Sequence, residues 1–239
     1  MPKVALITGA GQRIGRSIAL HLAEQGWDIA AHFHKSQFEA DLVVQQILKM
    51  GRKAISLQAD LSVESQAALL FELALREFET IDCLVNCASV FLPDTPLTAE
   101  HDTWEQNINI NLRAPLILSQ AFARQRESEE VRVIINITDA MACGANISHS
   151  TYALSKAGLQ QLTRMFAKVL APKVRVNDIA LGLVIPPVQM PYMQFESLCL
   201  RTPLAIPTGI DEINQAISFI LRAESMTGTT VTLDSGMGL

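Results

Sequence analysis

The sequence predicts an α/β fold, a doubly wound parallel sheet of seven strands with helices on both faces. Three observations predict it. Short β-branched runs alternate with longer segments of helical periodicity along all 239 residues, the pattern of successive βα units. A glycine-rich stretch, "TGAGQRIG", joins the first run to the first periodic segment. Hydrophobic residues make up 49% of the chain and charged ones 18%, enough for a large core in one domain spanning 1–239.

Taken in order, the strand candidates are Val4–Thr8, Ile29–Phe33, Ala54–Leu57, Ile81–Asn86, Val131–Thr138, Val174–Ile179 and Thr230–Leu233. Helical periodicity falls between them at Ile14–Gln25, Gln37–Met50, Glu64–Phe78, Trp104–Arg126, Thr151–Leu170 and Asp211–Leu221. Right-handed crossovers are close to obligatory for such units. The stretch from Pro186 to Pro207 carries five prolines and reads as an irregular substrate loop near the carboxyl ends of the strands, where these folds bind ligands. Met190, Tyr192, Met193 and Phe195 are its candidates for closing over a substrate.

Composition narrows the function. The longest apolar runs, such as "VRVIINIT", are strand-length, so no membrane span is expected. The N-terminus enters a strand pattern directly, without a leader, which predicts a cytoplasmic protein. Cys83, Cys87, Cys143 and Cys199 form no CxxC pair, and free buried thiols are expected. A net charge of -5 argues against a nucleic-acid partner.

Gly9, Gly11 and Gly15 stand where a backbone must turn tightly and approach a pyrophosphate at a helix N-terminus. The same stretch nearly matches a P-loop but fails it twice, with Ala10 for the first glycine and Arg16 for the lysine. The second strand ends in "HFHKS" and not in the acid that would accept bonds from an NAD ribose. His32, His34, Lys35 and Ser36 suit a 2′-phosphate instead, so NADPH is the expected cofactor. His-x-His lacks a third ligand, and no metal site is expected. Further along, Tyr152 and Lys156 form a Y-x-x-x-K pair one helical turn apart, with Asp139 13 residues before the tyrosine. A lysine ammonium on the same helix face would favour the phenolate of Tyr152.

These stretches, with "ADLS" at 59–62, "LVNCAS" at 84–89, "NINLR" around Asn111 and "RVNDIALG", resemble the short-chain dehydrogenase/reductase family over essentially the whole chain. The resemblance implies a single-domain Rossmann fold and a homotetramer paired through the long helices near Trp104–Arg126 and Thr151–Leu170. It implies a cofactor site formed by Gly9, Gln12, Arg13, Ile14, Leu61, Ser89 and Gly182, with Asp60 on the adenine and Asn86 and Ala88 along its ribose. Tyr152 would be the proton donor, Lys156 would hold the nicotinamide ribose, and Asn111 would support a proton relay.

The sequence departs from that family's pattern at informative places. The middle glycine of the turn is Arg13, the serine expected 13 before the tyrosine is Asp139, and the usual P-G after the sixth strand reads Leu181-Gly182. "TGAGQRIG", "HFHKS", "CASVF" and the Asp139–Tyr152 spacing resemble the pteridine reductases and dihydromonapterin reductases. By that likeness Asp139 is catalytic, Phe91 stacks on a pterin, and Arg13 and Ser89 reach it. Arg13 could equally balance Asp139 or bridge cofactor phosphates. An ionised carboxylate repels the alkoxide that forms when a ketone is reduced, whereas reduction of a C=N bond needs a proton at the ring nitrogen. The expectation is an NADPH-dependent reductase of a pterin or folate. The alternatives are a 3-oxoacyl-type ketoreductase and a catalytically idle NADPH-binding regulator.

Overall fold

The computed structural model describes residues 2–126, 129–142, 144, 146–187 and 190–239. The strands are β1 (Val4–Ile7), β2 (Asp28–Phe33), β3 (Ala54–Gln58), β4 (Cys83–Asn86), β5 (Arg132–Asp139), β6 (Val174–Leu181) and β7 (Thr230–Leu233). The helices are α1 (Arg13–Glu24), α2 (Gln37–Lys49), α3 (Glu64–Phe78), α4 (His101–Ile108), α5 (Ala114–Arg124), α6 (Ser150–Leu170), α7 (Tyr192–Cys199) and α8 (Ile210–Arg222). All strands pair in parallel in the order β3-β2-β1-β4-β5-β6-β7, the seven-stranded doubly wound sheet the sequence predicts.

Strand side chains alternate between the two faces. Along β1, Ala5 and Ile7 enter a core with Ile18 and Leu22 of α1 and Ile213 and Ile217 of α8. Val4 and Leu6 face the opposite core, with Leu70 and Phe71 of α3 and Leu118 and Phe122 of α5. Phe71 and Phe122 meet edge to face at 6.1 Å. Each such fully buried side chain stabilises the fold by about 1.5–3 kcal/mol, and burial on both faces explains why these strands read as continuous apolar runs. The sheet order reverses between β1 and β4, and ligands of open α/β sheets bind at that switch point, outside the carboxyl ends of the strands.

Three expected boundaries move for identifiable reasons. The fourth strand starts at Cys83 because both backbone groups of Ile81 bond the side chain of Gln125, at 3.0 Å each. The long helix expected over Trp104–Arg126 starts earlier and is interrupted by a π-helical turn at Asn109–Arg113. The irregular loop expected over Pro186–Pro207 contains α7, whose N-cap is Pro191 and whose Phe195 and Cys199 are buried. A proline just before a helix needs no amide partner there, so it opens α7 instead of breaking it. Tyr192 and Met193 are exposed and Met190 is half-buried, while Val188 and Gln189 lie outside the described residues.

Candidate active site

A cleft of about 470 Å³ lies at the switch point. Its floor is the turn after β1. Gly9 has φ +69°, and a Cβ there would sit 3.1 Å from the Cα of Ala88. A Cβ on Gly15 would lie 2.2 Å from the Gly9 carbonyl oxygen, so only glycine lets α1 start this close to β1. Gln12, the N-cap of α1, makes no side-chain cap, and the helix opens onto the cleft with its first amides uncapped. A backbone cradle at a positive helix end fits a pyrophosphate. Gln12, Arg13 and Ile14 line it, and Arg13 has φ +52°, a left-handed conformation that explains why a glycine is usual there. The Arg13 guanidinium goes neither to Asp139 nor into the cradle. It donates to the carbonyls of Pro186 and Ile185, at 3.1 and 3.0 Å.

At the end of β2 one expectation is overturned. His32 is buried and accepts the Gly9 N–H at Nδ1 over 3.0 Å, while its Nε2 meets the Ala59 carbonyl oxygen at 3.1 Å. Burial lowers its pKa to about 4, with His34 adding to the effect. A neutral ring with both nitrogens occupied by backbone cannot serve a phosphate, and His32 is a strut between the glycine turn and the end of β3. The other three residues remain at the surface. His34, Lys35 and Ser36 share a shallow basin with Gln12 and Glu39, and His34 Nε2 lies 3.6 Å from Asp60 Oδ2. Hydrogen bonds from Ser62 are the main cause holding the Asp60 carboxyl below its usual range. Asp60 and Leu61 form the adjoining wall of the main cleft. Glu39, missed in the sequence, was legible as an acid in the first turn of α2.

The opposite end is built from β4, β5, the π-helical turn and α6. Tyr152 donates to Asp139 Oδ2 at 2.8 Å, and the Met141 N–H donates to Oδ1 at 2.7 Å. Gln160, a residue sequence reasoning did not single out, donates to the Asp139 backbone carbonyl at 3.3 Å. Burial, then the Asp139 charge and its hydrogen bond, push the Tyr152 hydroxyl far above the ordinary tyrosine range. Lys156 does not offset that rise: its Nζ donates to the Ile137 carbonyl at 2.9 Å and stands 5.9 Å from the Tyr152 ring centre. Burial lowers the lysine to about 8. Tyr152 is therefore held as a phenol aimed at a carboxylate.

Two other expected site residues commit their side chains to the fold. The Asn111 side chain, fully buried, donates to the Val90 carbonyl and Ser155 Oγ and accepts from the Val90 N–H and Ser89 Oγ. It is fully engaged in fixing the Ser89–Val90 turn, and the π-helical geometry carries it there. The Asn86 side chain donates to Asn136 Oδ1 at 2.8 Å, tying β4 to β5, and is not among the residues that line the cleft. Ala88, Ser89 and Gly182 do line the cleft. Phe91 follows the fixed turn but stacks on His149, with ring centres 3.9 Å apart and planes at 9°. Its edge-on neighbour is Tyr152 at 4.7 Å. Cys83, Cys87 and Cys199 are free thiols, raised by burial; Cys143 lies outside the described residues.

Residues 3–197 match the family described as short chain dehydrogenase. The chain belongs to the short-chain dehydrogenases. Within that family it is 30% identical over 239 residues to a 3-oxoacyl-[acyl-carrier-protein] reductase of Synechocystis sp., spanning 98% of this chain and 96% of the relative. The 3-oxoacyl-[acyl-carrier-protein] reductase FabG of Staphylococcus aureus is 28% identical, over 99% of this chain and 98% of its own. Among solved structures, FolM alternative dihydrofolate reductase 1 from Brucella canis, complexed with NADP, superposes with a TM-score of 0.92 at 30% identity, covering 99% of this chain and 94% of that one. This short-chain dehydrogenase thus has whole-length relatives named for two different reactions.

Proposed function

We propose that this short-chain dehydrogenase is an NADPH-dependent reductase of a pterin C=N bond, with a dihydropterin or dihydrofolate as substrate. The observation that carries the reading is the Asp139–Tyr152 hydrogen bond of 2.8 Å at the cleft end. A ketone would develop an alkoxide beside Tyr152, and a carboxylate there repels that charge. A pterin instead presents amino and ring N–H donors that a carboxylate accepts well. The likeness to FolM from Brucella canis supports the same reading.

NADP bound in that neighbour and the uncapped α1 cradle support NADPH as cofactor. When bound, it would supply the hydride. The residues that would hold it are the glycine turn for the pyrophosphate and Asp60 for the adenine side, with Lys35 and Ser36 at the 2′-phosphate and Lys156 at the inner ribose. Tyr152 and Asp139 hold one proton between them, and the ring nitrogen receives it as the adjacent carbon is reduced. Lys156 then faces a pair left with a second negative charge, which solvent reprotonates. Asn111 keeps the Ser89–Val90 turn, and hence Phe91, in place beside Tyr152.

The second reading, reduction of a 3-oxoacyl thioester, is favoured by the curated relatives from Synechocystis and Staphylococcus. Purified protein given NADPH should reduce dihydromonapterin, dihydrobiopterin or dihydrofolate and should bind NADPH more tightly than NADH. Lys35→Ala should weaken NADPH binding by about tenfold, a loss of ~1.4 kcal/mol, and leave NADH binding as it is. Equal affinity for both cofactors in the unaltered protein would contradict the 2′-phosphate assignment.

A further inference from the structure

Arg13 holds a left-handed conformation, φ +52°, that a non-glycine residue adopts only under strain. Its side chain forks onto two consecutive carbonyls 172 and 173 residues away, Ile185 at 3.0 Å and Pro186 at 3.1 Å. Those carbonyls belong to the segment between β6 and α7. Pro186 and Pro187 have no N–H, so this stretch cannot build a ladder of its own and needs outside donors. At its base the Thr208 N–H donates to the Leu183 carbonyl at 2.7 Å, and α7 is anchored through buried Phe195 and Cys199. Val184 and Ile185 line the cleft beside Arg13 itself.

We propose that Arg13 is a positioning residue: from the pyrophosphate turn it clamps the Ile185–Pro186 backbone, and so fixes residues 183–187 after β6 as a wall of the cleft. The planar fork matters more than the charge, because two parallel N–H groups match two adjacent carbonyls and an ammonium does not. This assignment rests on the cleft being a joint cofactor and substrate site, but not on which substrate is reduced.

Arg13→Gly tests it without loss of the turn, since glycine adopts φ +52° without strain. Hydrogen exchange in the peptides 183–187 and 191–199 of NADPH-bound protein should speed up by about tenfold or more, the equivalent of ~1.4 kcal/mol of clamp. Substrate KM should rise by a similar factor, with NADPH affinity changed less than about threefold. Arg13→Lys should behave like Arg13→Gly in exchange. Unchanged exchange in both variants would overturn the clamp. So would a parallel loss of NADPH affinity that Arg13→Lys restores, which would assign Arg13 to a phosphate. The exchange measurement stands even if no pterin proves to be a substrate.

Discussion

His32 illustrates what a side chain becomes when its surroundings, and not its type, decide its role. Read along the sequence it belongs with His34, Lys35 and Ser36 as a cation for a phosphate. In the fold it is a neutral strut, accepting from the Gly9 N–H and bonded to the Ala59 carbonyl. Its folded pKa, about 4, lies below the ordinary 6.5, so the unfolded chain takes up a proton that the folded one refuses. The stability this residue contributes is present above pH 6.5 and is lost as pH falls towards about 4, by on the order of 3 kcal/mol. Urea unfolding at pH 7 and at pH 4.5 should therefore show a larger acid loss in the unaltered protein than in His32→Asn, which has nothing to titrate. Equal losses in both would contradict the strut. Tyr152 and Lys156 teach the same lesson. Their spacing predicts a helix-face pair, but the tyrosine bonds Asp139 and the lysine bonds Ile137, because β5 brings both partners closer than the helix neighbour.

At the scale of elements, the β1–α1 turn is the part of the site most legible in the sequence. Glycines before a periodic segment leave few alternatives, and the backbone uses them as expected: the close approach at Gly15 is to main chain, which cannot rotate away. Gly15→Ala should destabilise the fold by about 3 kcal/mol or more, lowering Tm by roughly 5–10 °C, and should abolish NADPH binding. Gly209→Ala, whose new Cβ would meet only ordinary contacts with Glu212, is the control and should change Tm little. Thermal melts of the two variants check this. The π-helical turn at Asn109–Arg113 was not legible. A single inserted residue in the hydrogen-bond ladder leaves hydrophobic periodicity nearly intact, although it re-aims Asn111 towards Ser89 and Val90. Helix α7 was hidden for a different reason: prolines at 186, 187 and 191 signal a break, and only tertiary burial of Phe195 and Cys199 reveals the helix beyond them.

For the whole molecule, fold and cofactor cleft followed from pattern, while the reaction depends on which charges meet at the cleft end. Leu154, Met165 and Val169 lie along one face of α6 and are 55%, 58% and 75% exposed, an apolar stripe that supports the homotetramer we propose through the long helices. Light scattering at micromolar concentration should give a mass of four chains, and Val169→Glu should shift it downwards; a monomeric mass for the unaltered protein would contradict this assembly. Among the described residues no helix is long and apolar enough to cross a membrane. The central claim is that the Asp139–Tyr152 pair commits the enzyme to a C=N bond. The most direct test is the ratio of kcat/KM for a dihydropterin to that for an acetoacetyl thioester, measured with NADPH in the unaltered enzyme and in Asp139→Ser. The account predicts a ratio well above one that falls by about 10² or more in the variant, the usual contribution of a general acid, with NADPH affinity preserved. Ready reduction of the thioester by the unaltered enzyme, with no pterin turned over, would contradict it.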